Sequence, residues 1–373
     1  MSAGLEIQLI AIIVAIACSL PGVFLVLRRM SMMSDAITHT ILLGIVVAFF
    51  ITESLTSPLL ILGAALMGVF TVFLTETLNG TGLVSEDSAI GVVFPLLFSI
   101  AIIIISKYAG AVHLDTDSVL LGELAYAPFN RLTLFGKDMG PKALYSMSVI
   151  LLLNLVFIVA FFKELKIATF DPALATILGF TPALLHYSLM TLVSITAVGA
   201  FESVGSILVI AFMIGPPITA YLMTDDLKRM VMLSALVGSI NGVLGYQMAA
   251  YFDVSIAGSM AVMTGLVFFL VFVFAPDKGL VSIIRRRSSQ KIEFAQKSLL
   301  FHILNHEGDP NEALELGINT ICQHVNWEMD FLNKMLSSLK KEEKIFMDGD
   351  IIRLTAQGKD YAIKSYEEII SEF

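Results

Sequence analysis

Apolar residues dominate positions 1–280 in long runs that short polar segments interrupt. A bilayer core about 30 Å thick needs roughly 20 apolar residues of α-helix to cross it. Nine runs approach that length, but the sixth and the seventh are shorter than the others and almost continuous with each other. The pattern therefore predicts eight or nine transmembrane helices. The runs lie at 6–27, 32–52, 57–78, 88–107, 143–162, 184–201, 204–222, 229–250 and 256–275.

Residues 108–142 are more mixed and include HLDTDSVLLGELAYAPFNRLTLFGKD. They are too polar to cross a membrane. The stretch VLLGELAYAPF (119–129) is apolar enough for a short helix that dips into the bilayer. Irregular backbone at that depth is tolerated only where protein or water covers it.

The pattern changes after residue 280, where we expect a basic membrane-surface linker at 281–293 and a soluble domain at 294–373. Helical periodicity runs through FAQKSLLFHILNHEG and NWEMDFLNKMLSSLKKEEKI, the latter with Trp327, Phe331, Met335 and Leu339 about one turn apart. IFMDGDIIRLT predicts a β-hairpin that turns at Asp348-Gly349, and AQGKDYAIKSYEEII predicts a last helix. This order is similar to a winged helix-turn-helix domain.

Composition agrees with a polytopic membrane protein. The chain of 373 residues is 57% hydrophobic and 15% charged, whereas soluble domains contain about 25% charged residues. Its mean hydropathy is +0.85. The first run lacks a basic leader and continues into Arg28-Arg29, so we interpret it as a retained span.

Charge is informative about the C-terminal domain and about orientation. Residues 294–373 contain 14 acidic and 8 basic side chains, which argues against DNA binding and favours a protein-contact or regulatory module. His302, His306 and His324 are either a metal sensor or scattered surface histidines.

Under nine spans most basic residues fall on one side, which predicts a cytoplasmic C-terminus. They are Arg28-Arg29, Lys163, Lys166, Lys228-Arg229, Lys278 and Arg285-Arg286-Arg287.

Asp35 and His39 are the first candidate site. They are one helical turn apart in RRMSMMSDAITHTILLG, so the carboxylate and the imidazole share a helix face. Ionisable groups inside a membrane are costly and commonly functional. Carboxylate and imidazole together suit first-row divalent metals. The alternative is that Asp35 caps the first turn of its helix and His39 is hydrogen-bonded between helices.

Three segments together carry a resemblance to a known family. RRMSMMSDAITHTILLG, ATFDPALATILGF and FESVGSILVIAFMIGPPITAYLMTDDLKRM resemble the permease subunits of manganese/zinc/iron ABC importers, over roughly residues 5–280. HLDTD followed by GEL is more similar to the manganese- and iron-associated branch. Some members of that branch carry a C-terminal winged-helix extension, which matches the tail.

The resemblance implies an all-α membrane domain of the cobalamin-importer type, followed by the small α+β domain. It implies a homodimer or a heterodimer with a second permease, cytoplasmic ATPase subunits that hydrolyse ATP, and an extracellular metal-binding protein. Manganese, iron or zinc would be transported, with no stably bound cofactor and no catalytic residue on this chain. Asp35 and His39 match the family's transient metal site. The sequence contains no GxxxxGK[ST] phosphate loop.

The second candidate is an ATPase-coupling helix within TFDPALATILGF. Asp171 is suited to cap the start of the helix, and Pro172 is suited to its first position. Gly179 is suited to end the helix, and Leu174 lies between these limits. A short capped helix between two spans would act as a lever for an ATPase groove. The alternative is a plain interfacial turn.

Other candidates concern the pathway itself. Gly215, Pro216 and Pro217 predict a helix kink, either a hinge or a static feature of packing. The remaining candidates are cation contacts at the outer mouth, for which the alternative is a solvated loop or surface. They are His113, Asp115, Asp117 and Glu202.

Three functions are therefore open. The first is a metal-importing permease driven by a separate ATPase in the bacterial cytoplasmic membrane. The second is a secondary transporter in which Asp35 and His39 relay protons. The third is a membrane-tethered regulator that acts through the C-terminal domain. The predicted coupling helix and the order of the motifs favour the first.

Overall fold

A computed structural model describes residues 2–53, 57–108, 124–134, 137–318 and 320–371. The chain divides into two compact units, Met1–Gly279 and Leu280–Phe373. Among its described residues, the first unit is helical apart from one hairpin and its connecting turns. Its helices are α1 (Ala3–Leu27), α2 (Ser31–Thr52), α3 (Pro58–Gly80), α4 (Glu86–Tyr108), α5 (Lys142–Ala160), α6 (Phe162–Phe170), α7 (Pro172–Ile177), α8 (Pro182–Val204), α9 (Ser206–Met223), α10 (Leu227–Phe252) and α11 (Ile256–Phe274).

Within these described residues, nine helices are long and apolar enough to cross a membrane, all of them except α6 and α7. This confirms the all-α membrane architecture, with nine candidate spans among the described residues. The two nearly continuous runs, α8 and α9, separate at Gly205, whose φ is +79°. Glycine reaches this conformation without the steric cost that a side chain imposes, so the chain can turn sharply there.

A two-stranded antiparallel hairpin, β1 (Arg131–Leu134) and β2 (Lys137–Pro141), precedes α5. Arg131 of β1 ties the hairpin to α1, with Nη1 3.4 Å from Glu6 Oε2. It also pairs with Asp138 of β2, with Nε 2.5 Å from Oδ2. The hydrogen bond from Arg131 holds the pKa of the Asp138 carboxyl below its usual value. The predicted dipping helix at 119–129 lies partly outside the described residues, and its last three residues form a 3₁₀ turn.

Glycine brings helix backbones of the first unit into direct contact. A Cβ atom at Gly44 of α2 would overlap the carbonyl oxygen of Gly63 of α3, and one at Gly63 would lie 2.8 Å from the carbonyl oxygen of Gly44. Between α1 and α9, Gly22 lies against the carbonyl oxygen of Met213, which loses its usual helical donor because residue 217 is proline. Small residues commonly mediate such packing in membranes, where lipid is as apolar as the side chains.

Buried polar side chains add specific links between spans. Asn154 of α5 donates its amide to the carbonyl oxygen of Ala17 at 3.0 Å and to Thr196 Oγ1 at 2.8 Å. Ser194 of α8 donates to the carbonyl oxygen of Ala65 at 3.0 Å. Because water is absent from the hydrocarbon, each such group needs a protein partner.

The second unit has its own hydrophobic core, formed by side chains such as Leu299, Leu332, Leu339 and Ile352. The predicted hairpin is confirmed, but its turn lies one residue later than expected, at Gly349-Asp350, because Asp348 pairs with Ile351. Gly349 has a φ of +65°. The elements are α12 (Leu280–His306), α13 (Glu312–Glu315), α14 (Ile321–His324), α15 (Met329–Lys341), β3 (Ile345–Asp348), β4 (Ile351–Leu354) and α16 (Ala356–Ser371).

Two local expectations for the second unit need adjustment. Residues 281–293, expected as a linker, lie inside α12, because this segment has neither glycine nor proline to interrupt a helix. The apolar face predicted for the second helix begins too early, because α15 starts at Met329, after Trp327. The side chains that α15 buries are Leu332, Met335, Leu336 and Leu339. The winged-helix assignment stays a prediction.

The contact between α2 and α3 predicts a strong response to one methyl group. We expect Gly44→Ala to lower the free energy of unfolding by about 1–3 kcal/mol, because the new Cβ meets backbone that must shift. Gly265→Ala in α11 is the matched control, since no atom lies within 4 Å of its Cβ position. Thermal unfolding in detergent would measure both variants, and equal behaviour would contradict the proposed backbone contact.

Candidate metal site

Asp35 and His39 face each other near the start of α2. His39 Nε2 lies 3.3 Å from Asp35 Oδ1, and the side chains keep 23% and 39% of their surface exposed, respectively. Most of their neighbours along the helix, such as Met33, Ile37 and Ile41, are fully buried. The pair is therefore a partly exposed polar position in the largely buried first half of α2.

Aromatic side chains of α4 hold the imidazole in place. The ring of His39 lies 5.2 Å from that of Phe94 and 5.7 Å from that of Phe98, centroid to centroid, with Phe98 edge-on. These contacts restrict the rotation of the imidazole without using its nitrogen atoms. The ring is thereby held with Nε2 towards Asp35.

The structure argues against the capping alternative for Asp35. The residue at the N-cap of α2 is Met30, and Asp35 lies within the helix. Its side chain is turned towards His39 instead of towards the first backbone N–H groups. The neighbouring hydroxyl of Thr38 donates to the backbone carbonyl of Asp35 at 2.8 Å, and not to its carboxylate.

A second polar cluster, which sequence reasoning missed, joins three spans at one end of the unit. Arg28, directly after α1, lies with Nη1 3.1 Å from His186 Nδ1 of α8, and its Nε donates to Thr169 Oγ1 of α6 at 3.1 Å. His186 Nε2 is paired with Glu76 of α3. The available signal was a lone ionisable residue in each of two predicted spans, Glu76 and His186.

The predicted coupling segment has the expected local geometry. Asp171 caps α7 and accepts from the backbone N–H of Leu174 at 2.9 Å, and Pro172 takes the first position. Gly179 follows the helix with a φ of +87°. The helix presents apolar side chains outward, with Leu174 43% and Ile177 81% exposed.

The segment is also close to the polar cluster. Thr169, which Arg28 contacts, lies two residues before Asp171. The structure thus connects the start of α7 to Glu76 of α3 through Arg28 and His186. Because α3 packs directly on α2, this chain of contacts leads to the helix that carries Asp35.

Gly215, Pro216 and Pro217 lie in α9, which continues through both prolines to Met223. Thr219 donates its hydroxyl to the carbonyl oxygen of Gly215 at 2.7 Å. Any side chain at Gly215 would overlap Thr264 of α11. The segment is closely packed on a neighbouring helix.

The outer-mouth candidates are not brought together by any described contact. His113, Asp115 and Asp117 lie outside the described residues. Glu202 is exposed near the end of α8, where its Oε1 lies 3.5 Å from Lys142 Nζ at the start of α5.

Comparison with known proteins identifies the family. Residues 5–275 match the ABC 3 transport family. The chain belongs to this family. The match ends just before the second unit begins at Leu280. Its role as the permease subunit of an ABC importer, expected from three sequence segments, is thereby confirmed.

Relatives extend this result. The zinc transport system membrane protein TroD of Treponema pallidum is 43% identical over 358 residues, which is 96% of the permease and 97% of TroD. That alignment must therefore include much of the C-terminal unit. The manganese transport system membrane protein MntD of Bacillus subtilis is 47% identical over 271 residues, which is 73% of the permease and 92% of MntD.

A solved structure agrees with the fold of the membrane unit. PsaBC from Streptococcus pneumoniae in complex with Fab superposes with a TM-score of 0.62 at 29% identity. The alignment covers 74% of the permease and 94% of that chain.

The polar cluster predicts unequal costs for two neutralised glutamates. Glu76→Gln should destabilise the permease by about 3 kcal/mol, because His186, which also contacts Arg28, loses its carboxylate partner in a largely buried setting. Glu202→Gln removes a carboxylate from an exposed pair and should cost less than about 1 kcal/mol. Thermal unfolding in detergent would compare the two, and a similar loss in both would argue against the buried network.

Proposed function

We propose that the permease moves Mn²⁺ or Zn²⁺ into the cytoplasm, with Asp35 and His39 as transient ligands on the path. The observation that carries the proposal is their geometry. A carboxylate and an imidazole lie 3.3 Å apart and partly exposed, in the largely buried first half of α2, within a chain of an ABC transport family. Separate ATPase subunits supply the energy.

Two protein ligands suit a transport site better than a complete cage. One carboxylate oxygen and one imidazole nitrogen replace part of the ion's hydration shell, and water fills the other positions. A structural zinc site uses four protein ligands and holds its ion firmly. Two ligands permit release. A second permease subunit, whether a copy of this chain or a paralogue, would add a second pair from the same positions.

The donor set does not single out one metal. Oxygen and nitrogen ligands accept manganese, iron and zinc, and selectivity depends on geometry and on supply. The relatives described above are named for zinc and for manganese transport, so we propose these two ions. Delivery by an extracellular metal-binding protein would restrict which ion arrives.

The start of the ATPase-coupling path is α7. A helix of six residues with outward Leu174 and Ile177 is too short to span a membrane, and its exposed apolar face suits a groove on an ATPase subunit. Movement of α7 would act on Arg28 through Thr169 and from there on α3 and α8. In this scheme the glycine contact with α3 transmits the displacement to α2.

Orientation follows from the basic residues. Arg28 contacts Thr169, and Lys278 pairs with Asp225, so these positive side chains lie near loops that the positive-inside rule assigns to the cytoplasm. We propose a multi-pass protein of the bacterial cytoplasmic membrane with its C-terminal unit inside the cell.

The metal site predicts a loss of uptake without a loss of fold. Asp35→Asn and His39→Ala should each abolish Mn²⁺ and Zn²⁺ accumulation, because one ligand is left to compete with water. Cellular metal content, measured by mass spectrometry in a host without its own importers, tests this. Glu53→Gln is the control, since Glu53 follows the opposite end of α2. Wild-type accumulation in both site variants would refute the assignment.

The coupling helix predicts a different defect. Leu174→Asp should remove transport while the permease still folds and, where ATPase subunits remain bound, should separate ATP hydrolysis from uptake. Val254→Asp is the control, because Val254 is a comparably exposed aliphatic residue in the turn between α10 and α11 at the other membrane face. ATPase activity and uptake in reconstituted vesicles give the two readouts. Unchanged coupling in the Leu174 variant would count against α7 as the contact.

A further inference from the structure

Three histidines and one glutamate converge in the C-terminal unit, on three separate helices. His302 and His306 lie one turn apart at the end of α12, Glu315 is the last residue of α13, and His324 is the last residue of α14. One donor atom from each of His302, His306 and Glu315 lies within 4.8 Å of the others. His324 Nδ1 is 3.1 Å from Glu315 Oε2.

The three imidazoles are packed against one another. The rings of His302 and His306 are 4.8 Å apart, and those of His302 and His324 are 6.0 Å apart and nearly parallel. His302 and Glu315 are only 18% and 25% exposed, respectively. This grouping differs from the scattered surface histidines that the sequence left as an alternative.

We propose that His302, His306, His324 and Glu315 bind one divalent first-row transition-metal ion. Ligand atoms about 2.1 Å from a zinc ion lie roughly 3–3.5 Å from each other. His302 Nε2 and Glu315 Oε2 are 3.9 Å apart, and His324 Nδ1 is closer to the same oxygen, so small side-chain rotations suffice. The site shares no residue with Asp35 and His39.

Neighbouring hydrogen bonds orient two of the proposed ligands, His302 and His306. His306 Nδ1 lies 3.3 Å from Asp309 Oδ2, which orients the ring and leaves Nε2 for the metal. Metal-bound histidines commonly have such a carboxylate on their other nitrogen. His302 Nε2 donates to the carbonyl oxygen of Glu315 at 3.1 Å, which holds this ring beside the carboxylate. On binding a metal, this nitrogen would give up its proton and that hydrogen bond.

The chemistry of the donors indicates the kind of ion. Three imidazole nitrogens with one carboxylate oxygen make a more nitrogen-rich set than the Asp35–His39 pair. In such sites Zn²⁺ binds more tightly than Mn²⁺, in accordance with the Irving–Williams order. A bound ion would cross-link α12, α13 and α14, so occupancy would stabilise the arrangement of these helices.

The inference is independent of the transport function, and its test removes the membrane site. The full-length permease with Asp35→Asn and His39→Ala would be purified in detergent and titrated with Zn²⁺ by equilibrium dialysis. We expect saturable binding of one ion per chain that depends on the C-terminal cluster. In this background, His302→Ala or His324→Ala should weaken binding at least about 10-fold, since even residues that only orient a ligand contribute that much.

Two further variants separate ligation from folding. Glu315→Gln keeps the shape of the side chain and should weaken binding to a similar degree. Asp360→Asn changes an exposed carboxylate on α16 that pairs with Lys364, and should leave binding unchanged. The site would be overturned if the His302, His324 and Glu315 variants all bound Zn²⁺ as tightly as the parent. It would also be overturned if only the Asp360 control lost affinity for Zn²⁺. Loss of uptake by the Asp35 variant would bear on transport only.

Discussion

Direct backbone contact between spans is the constraint on which the membrane unit depends. In lipid no hydrophobic force draws apolar helices together, so dispersion contacts and hydrogen bonds between close backbones must do so. Gly44 and Gly63 let α2 lie against α3, and Gly22 lets α1 lie against the free carbonyl of Met213 in α9. Asp35 is part of α2, so the packing of α2 on α3 sets the position of Asp35 relative to the other helices.

Burial of charge is the second constraint, and the unit meets it in two ways. Arg28, His186 and Glu76 pair in sequence across three spans, which offsets part of the cost of removing them from water, while Nη2 of Arg28 is buried without a hydrogen-bond partner. Asp35 and His39 satisfy each other only partly and keep some exposure. A buried network links the helices that carry it, whereas a partly open pair can exchange its partner for an ion. The contrast fits a role in linking helices for the first group and a metal-binding role for the second.

The two units show how differently histidine is used in one chain. His39 contacts Phe94 and Phe98 and turns Nε2 towards Asp35, whereas His186 is paired with both Arg28 and Glu76. His302 belongs to a cluster in which imidazoles contact each other around Glu315. The surroundings, more than the residue type, decide whether an imidazole supports a fold or binds a ligand.

Local patterns in the sequence determined the elements of this protein. The lengths of the apolar runs predicted the spans, Asp171, Pro172 and Gly179 predicted the limits of α7, and Asp348-Gly349 predicted the hairpin, because each depends on neighbours in the chain. Asp35 and His39 were recognisable for the same reason, since one helical turn sets their distance. The pairing of Arg28 with His186 and Glu76, and the convergence of His302 with Glu315 and His324, were decided only by the tertiary structure. These groups lie on different helices, and helix packing, which no local spacing encodes, brings them together.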